Sequence, residues 1–124
     1  MVMRNTVLIA LLFTAGCSTA PQSDDEFWYK QGYRLGSNGY AYQSQALTEI
    51  QQAQTKRSFI ETDYRQGYQE GKAVYCDPFK AFDKGRAGVR YIGQCAGAEN
   101  ETMLRAEWER GWQAFIGMDF DFHP

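Results

Sequence analysis

Three stretches of the chain set aromatic and small residues on one helical face. In FWYKQGYRLG, residues 27–36, Tyr29, Gly32, Tyr33 and Gly36 fall at i, i+3, i+4 and i+7, the spacing of a single α-helical face. SFIETDYRQGYQEGKAVYC, residues 58–76, repeats the pattern with Tyr64, Gly67, Tyr68 and Gly71 and extends it to Tyr75. ENETMLRAEWERGWQAFIG, residues 99–117, carries Leu104, Trp108, Gly111, Trp112 and Phe115 at matching intervals. Between the first two, residues 40–56 show a thinner stripe of Ala46, Leu47, Ile50 and Ala53 in a glutamine-rich surface. Asp77 followed by Pro78 predicts the start of a short helix, which Gly85 is expected to end. Residues 86–95, with Val89, Tyr91 and Ile92, read as extended or turn-like.

Local signals place the ends. Asp24 or Asp25 is expected to cap the first helix, and GSNG, residues 36–39, to stop it. Ser58 and Glu61 have capping-box spacing. Asn100 and Gly117 bracket the last helix. The fold class expected is mainly α: a small single domain of about three to four helices, residues 27–117, with one disulfide-closed loop. A glycine in a helix costs about 1 kcal/mol relative to alanine. The four in the first two stretches, Gly32, Gly36, Gly67 and Gly71, therefore cost roughly 4 kcal/mol, and a close approach must offset it. Gly-x-x-x-Gly makes a flat strip that takes a large side chain or another backbone. Tyr64, Gly67, Tyr68 and Gly71 are thus a candidate packing surface or a tyrosine-lined ligand groove.

The amino-terminal residues bear on location. MVMR supplies a positive charge at Arg4, and VLIALLFTA, residues 7–15, is apolar. That run is too short to span a bilayer, which takes roughly 20 apolar residues, but suits a signal-peptide core. It leads into TAGC, which resembles the bacterial lipobox. The resemblance implies diacylglyceryl transfer to the Cys17 sulfur, cleavage before Cys17 and acylation of the new amino terminus. Stable attachment needs more than one acyl chain, and such a cysteine supplies it. Residues 1–16 are then a signal peptide, 17–26 a lipidated tether and 118–124 a tail. The lipoprotein sorting rule that this resemblance brings with it has aspartate at position 18 favour the inner membrane, so Ser18 would imply the periplasmic face of the outer membrane.

Export changes how the other cysteines read. The sequence has three cysteines, and setting Cys17 aside leaves Cys76 and Cys95, expected to form a disulfide. Removing Arg4 with the signal takes 13 basic and 15 acidic residues to 12 and 15. That mild acidity gives no reason to expect nucleic acid. Lys80, Lys84, Arg86 and Arg90 nevertheless outnumber Asp77 and Asp83 between the paired cysteines. Arg86 and Arg90 are candidate contacts for an anion such as a lipid phosphate, a peptidoglycan carboxylate or an acidic partner. No acid, base and nucleophile converge in the sequence: His123 is in the tail, and Glu107 and Glu109 point different ways on a helix. Two cysteines and one histidine make no zinc set, and Asp119 and Asp121 are a weak cation signal. The expectation is a non-catalytic envelope lipoprotein without cofactor or metal. Its partners would be the membrane, through the amino-terminal lipid, and an envelope protein. The alternative is a binding module for peptidoglycan fragments or lipid.

The chain also resembles a family of small bacterial lipoproteins defined by a domain of unknown function. The likeness rests on Trp28, Tyr29, Gly32 and Gly36, then on Tyr64, Gly67, Gly71, Tyr75 and Cys76. It continues through Phe82, Gly85, Arg86, Gly88, Tyr91 and Cys95 to Trp108 and Gly111. It covers most of residues 27–112 and implies a lipoprotein, with no activity attached.

Overall fold

Glycine positions decide which helices of this chain touch. A computed structural model describes residue 16 and residues 20–119. Five helices follow in order: α1 Asp24–Ser37, α2 Gln45–Ala53, α3 Glu61–Tyr75, α4 Pro78–Arg86 and α5 Glu101–Asp119. There is no strand among the described residues, so the helical class expected from the sequence holds. The helix pairs in extensive contact are α1 with α3 and α4 with α5.

The two pairs cross in the same way. A Cβ placed on Gly32 would strike the Tyr64 carbonyl oxygen and approach the Tyr68 nitrogen at 2.8 Å. One placed on Gly67 would strike the Tyr29 carbonyl oxygen and meet the Tyr33 nitrogen at 3.0 Å. Gly36 and Gly71 repeat this one turn later, against Tyr68 and Lys72 and against Tyr33 and Ser37. The register advances in the same direction on both helices, so α1 and α3 run parallel. In the second pair, Gly85 faces the Trp108 carbonyl and the Trp112 nitrogen, while Gly111 faces the Phe82 carbonyl and the Arg86 nitrogen. Each glycine thus meets the carbonyl three residues before, and the nitrogen one residue after, the glycine of its partner. Where a side chain would stand, a glycine hydrogen faces a carbonyl oxygen. Cα–H···O contacts contribute roughly 0.5–1 kcal/mol each, which offsets much of the helical cost of these residues.

Two parallel helices need a return path between them, and both paths begin alike. α1 ends with Gly39 at φ +80, where the Gly39 N–H donates to Gly36 O and the Tyr40 N–H to Leu35 O. α4 ends with Gly88 at φ +89, where the Gly88 N–H donates to Gly85 O and the Val89 N–H to Lys84 O. Both are Schellman closures, in which a left-handed residue satisfies the last carbonyls. The chain then turns back. In the first unit it returns through α2, capped by the Ser44 hydroxyl, which accepts from the Leu47 N–H. In the second it returns through residues 87–100 without a helix, held by the Cys76–Cys95 disulfide.

Each unit has its own core. Trp28, Leu35, Leu47 and Tyr64 form one; Ala81, Leu104, Trp108 and the disulfide form the other. Tyr64 and Trp108 are fully buried and occupy equivalent places, three residues before the crossing glycines of α3 and α5. Both tie the helix to its return path: the Tyr64 hydroxyl donates to Tyr42 O at 2.7 Å, and Trp108 Nε1–H donates to Val89 O at 2.7 Å.

Several expected boundaries change. α1 starts at Asp24 and shortens the tether; its N-cap is Ser23, and neither Asp24 nor Asp25 caps it. Asp24 instead accepts from Arg57 and from the Ser58 N–H, which fastens the start of α1 to the approach to α3. Ser58 and Glu61 form no capping box, since Ile60 holds the N-cap position of α3. Gly85 lies inside α4, where it serves the crossing, and Gly88 ends the helix. α5 runs through Gly117 to Asp119. Of residues 86–95, read as extended or turn-like, Arg86 ends α4, 87–88 and 94–95 are turns, 92–93 a bend, and 89–91 form neither turn nor strand.

Candidate functional site

The glycine strip of α3 is closed. Gly67 and Gly71 lie against the backbone of α1, so of the two expected fillers of the strip it is a backbone that takes it, and the neighbouring rings point elsewhere. Tyr64 points into the core, and the Tyr68 hydroxyl donates to Tyr40 O at 2.7 Å. The four candidate residues therefore pack two helices and their return segment together. A ligand groove through the glycines is a reading the geometry corrects. What opens beside them is a cleft of about 500 Å³ between α2 and the start of α3, with Tyr42, Leu47, Phe59 and Tyr64 in its wall.

Burial acts on the hydroxyls here. It pushes the Tyr64 pKa from 10.0 to about 12, with smaller contributions from Tyr68 and Tyr42. The proton is held more tightly in the folded state. Its contribution to stability is complete below pH 10.0 and is lost as pH rises through about 12. Alkaline unfolding followed by circular dichroism should show this loss, and Tyr64→Phe should reduce the steepness of the fall. Near neutral pH the same substitution should cost about 1 kcal/mol, because it leaves the Tyr42 carbonyl without its donor.

The larger opening lies where the two units join. A cleft of about 910 Å³ runs over the disulfide between α3 and residues 95–100, with Tyr68, Lys72, Val74, Pro78 and Lys80 along it. Tyr75, the last residue of α3, is the hinge piece. Its ring covers Gly39 and stands 5.9 Å from the Trp108 ring, so it touches both units. Lys84 Nζ sits 4.7 Å above the Tyr75 ring and Lys72 Nζ 5.9 Å from it. Desolvation lowers the pKa of both lysines; for Lys84, Lys80 adds to the lowering while Asp77 and Asp83 oppose it. Sequence reasoning missed this pair of lysines. The available signal was an aromatic directly before a cysteine with lysines on either side of it.

Arg86 and Arg90 are both exposed. Arg86 ends α4. The Arg90 guanidinium lies 4.9 Å from the centre of the Trp112 ring, a cation–π contact. Trp112 Nε1 is buried without a hydrogen-bond partner among the described residues. The disulfide forms between Cys76 and Cys95 with Cα atoms 5.7 Å apart, within the usual range for such bridges. Cys17 and His123 lie outside the described residues, as does Asp121. Among the described residues, no group of three histidine, cysteine or acidic side chains is placed to hold a metal ion. No described helix is long and apolar enough to cross a membrane.

Two glycine-crossed parallel helix pairs, joined at a cysteine and stapled by one disulfide, define a small α-helical domain. Residues 27–113 match the family described as Protein of unknown function (DUF2799), and the chain belongs to that family. Comparison with curated proteins and with solved structures gave no match.

Proposed function

We propose that this protein is an exported lipoprotein, held by an acylated Cys17 at the periplasmic face of the outer membrane. Its helical domain serves there as a non-catalytic interaction module for another envelope component. The observation that carries the reading is the pairing of Cys76 with Cys95. A buried structural disulfide belongs to an oxidising compartment. The pairing also leaves Cys17 as the one cysteine free for acylation, at the place where TAGC follows a charged start and an apolar run. Cys17→Ala tests it. Wild-type protein should incorporate a palmitate label and sediment with membranes, and the variant should lose the label and be released. Labelled Cys17→Ala protein would contradict the reading.

A second reading is favoured by the cleft over the disulfide. Its volume lies within the range of small-molecule sites, and its mixed wall of tyrosine, valine, proline and lysine suits a peptidoglycan fragment or a lipid. Retention on purified sacculi, lost when Lys72 and Lys80 are changed to alanine, would favour it over a protein partner.

A further inference from the structure

The two most exposed large hydrophobic side chains among the described residues are both in the second unit: Phe79 at 89% and Ile92 at 82%. Phe79 lies on α4 and Ile92 on the segment that returns from the end of α4 to its start. α4 turns Ala81 and Gly85 inward, so helical spacing places Phe79, Asp83 and Arg86 together on its outer side, with Lys80 at the flank. Residues 72–92 carry Lys72, Lys80, Lys84, Arg86 and Arg90 against Asp77 and Asp83. The rest of the chain from Cys17 onward carries seven basic residues against thirteen acidic ones. None of these five basic residues belongs to an ion pair among the described residues; elsewhere Lys30, Arg57, Arg65 and Arg110 do, and Arg34, Lys56 and Arg105 do not. Of the eight described basic residues without an ion pair, five thus lie in the segment that also carries the two barest large apolar side chains of this mildly acidic protein.

We propose that this face, formed by Phe79, Lys80 and Arg86 on α4 with Arg90 and Ile92 on the return segment, lies on the anionic phospholipid surface that carries the protein's own acyl anchor. Aromatic and aliphatic side chains enter the headgroup boundary while lysine and arginine meet the phosphates. The assignment to that membrane rests on the lipid-anchor reading above. From Cys17 to the start of α1 at Asp24 the chain reaches about 25 Å when fully extended. α3 is 15 residues long, about 22 Å, and it separates the anchored end of the first unit from the start of α4. The tether is long enough for the domain to lie with α3 along the surface, which brings α4 down to the lipid. Asp83, on the same side of α4, weakens the attraction without reversing it.

The test uses the mature chain, residues 17–124, purified with its disulfide intact and carrying Cys17→Ser, so that no acyl chain contributes. It should co-sediment with phosphatidylethanolamine–phosphatidylglycerol vesicles, less with phosphatidylcholine vesicles, and less as salt is added. Arg86→Ala should weaken binding about fivefold, the effect of one basic residue near an anionic surface. Phe79→Ser/Ile92→Ser should weaken it at least as much, with thermal melting unchanged because both side chains are exposed. Arg65→Ala, in the first unit, should leave binding unchanged. Absence of vesicle binding, equal binding by all variants, or retention on sacculi but not on vesicles would overturn the proposal. Because the vesicle assay contains no lipidated cysteine, its failure is separate from failure of the anchor reading, which acyl labelling of Cys17 decides.

Discussion

Gly67→Ala is expected to destabilise the domain by about 3 kcal/mol, the upper part of the usual range for overpacking. In an unencumbered helix the same change stabilises by about 1 kcal/mol. The sign therefore reports the crossing. A methyl group at Gly67 would collide with the Tyr29 carbonyl oxygen and crowd the Tyr33 nitrogen. Both are backbone atoms of a helix and cannot swing aside as a side chain would. Gly111→Ala should behave alike in the second unit, since its Cβ would meet the Phe82 carbonyl and the Arg86 nitrogen at 2.8 Å. Gly117 is the internal comparison. It lies in α5, yet a Cβ there meets nothing within 4 Å, so Gly117→Ala should be neutral or mildly stabilising. Urea unfolding of the three variants checks this directly. A stabilised Gly67→Ala would mean that α1 and α3 do not approach through their glycines.

Removal of the disulfide has the second large effect. Cys76→Ala/Cys95→Ala should lower stability by about 3 kcal/mol, from the loop entropy released in the unfolded chain. Native stabilities of small domains are roughly 5–15 kcal/mol, so that share is substantial. The cysteines are 19 positions apart and both are buried with Leu104 and Trp108. The loss should fall unevenly. The first unit's return path is held by Leu47 of α2 in its core and by the Tyr42 and Tyr40 carbonyls. The second unit's path, residues 87–100, has no helix and depends on the staple and on Val89 and Tyr91 at Trp108. Hydrogen exchange should therefore quicken in residues 87–100 and at the start of α5 before it changes in α1 and α3. Uniform quickening along the chain would argue against two separately held units.

Helical periodicity made much of this legible. The Tyr and Gly positions of α1 and α3, the Asp77–Pro78 start of α4 and the cysteine pair are local or compositional signals, and each leads to the element observed. The pairing of helices was not legible. A glycine face says that something comes close and does not say whether it is a ring or a backbone. Gly85 shows why: in the sequence it has the look of a helix stop, because its partner, Gly111, stands far along the chain. The capping box at Ser58 and Glu61 failed for a similar reason, since the Ser58 N–H and carbonyl are taken by Asp24 and by Trp28 Nε1 from α1. The basic, apolar outer side of α4 became visible only when Ala81 and Gly85 were seen to face inward. Charge counting points to Arg86 and Arg90 as a pair; the fold places one at the end of α4 and the other against the Trp112 ring.

In the proposed reading, Cys17 anchors the protein and Cys76 and Cys95 staple its second unit in an oxidising compartment. The intact mass of the protein extracted from membranes, taken without reduction, tests it most directly. The predicted result is a chain that begins at Cys17, carries acyl mass on that residue and is lighter by the two hydrogens lost in the Cys76–Cys95 bond. A chain without acyl mass, or one with free thiols at Cys76 and Cys95, would contradict it.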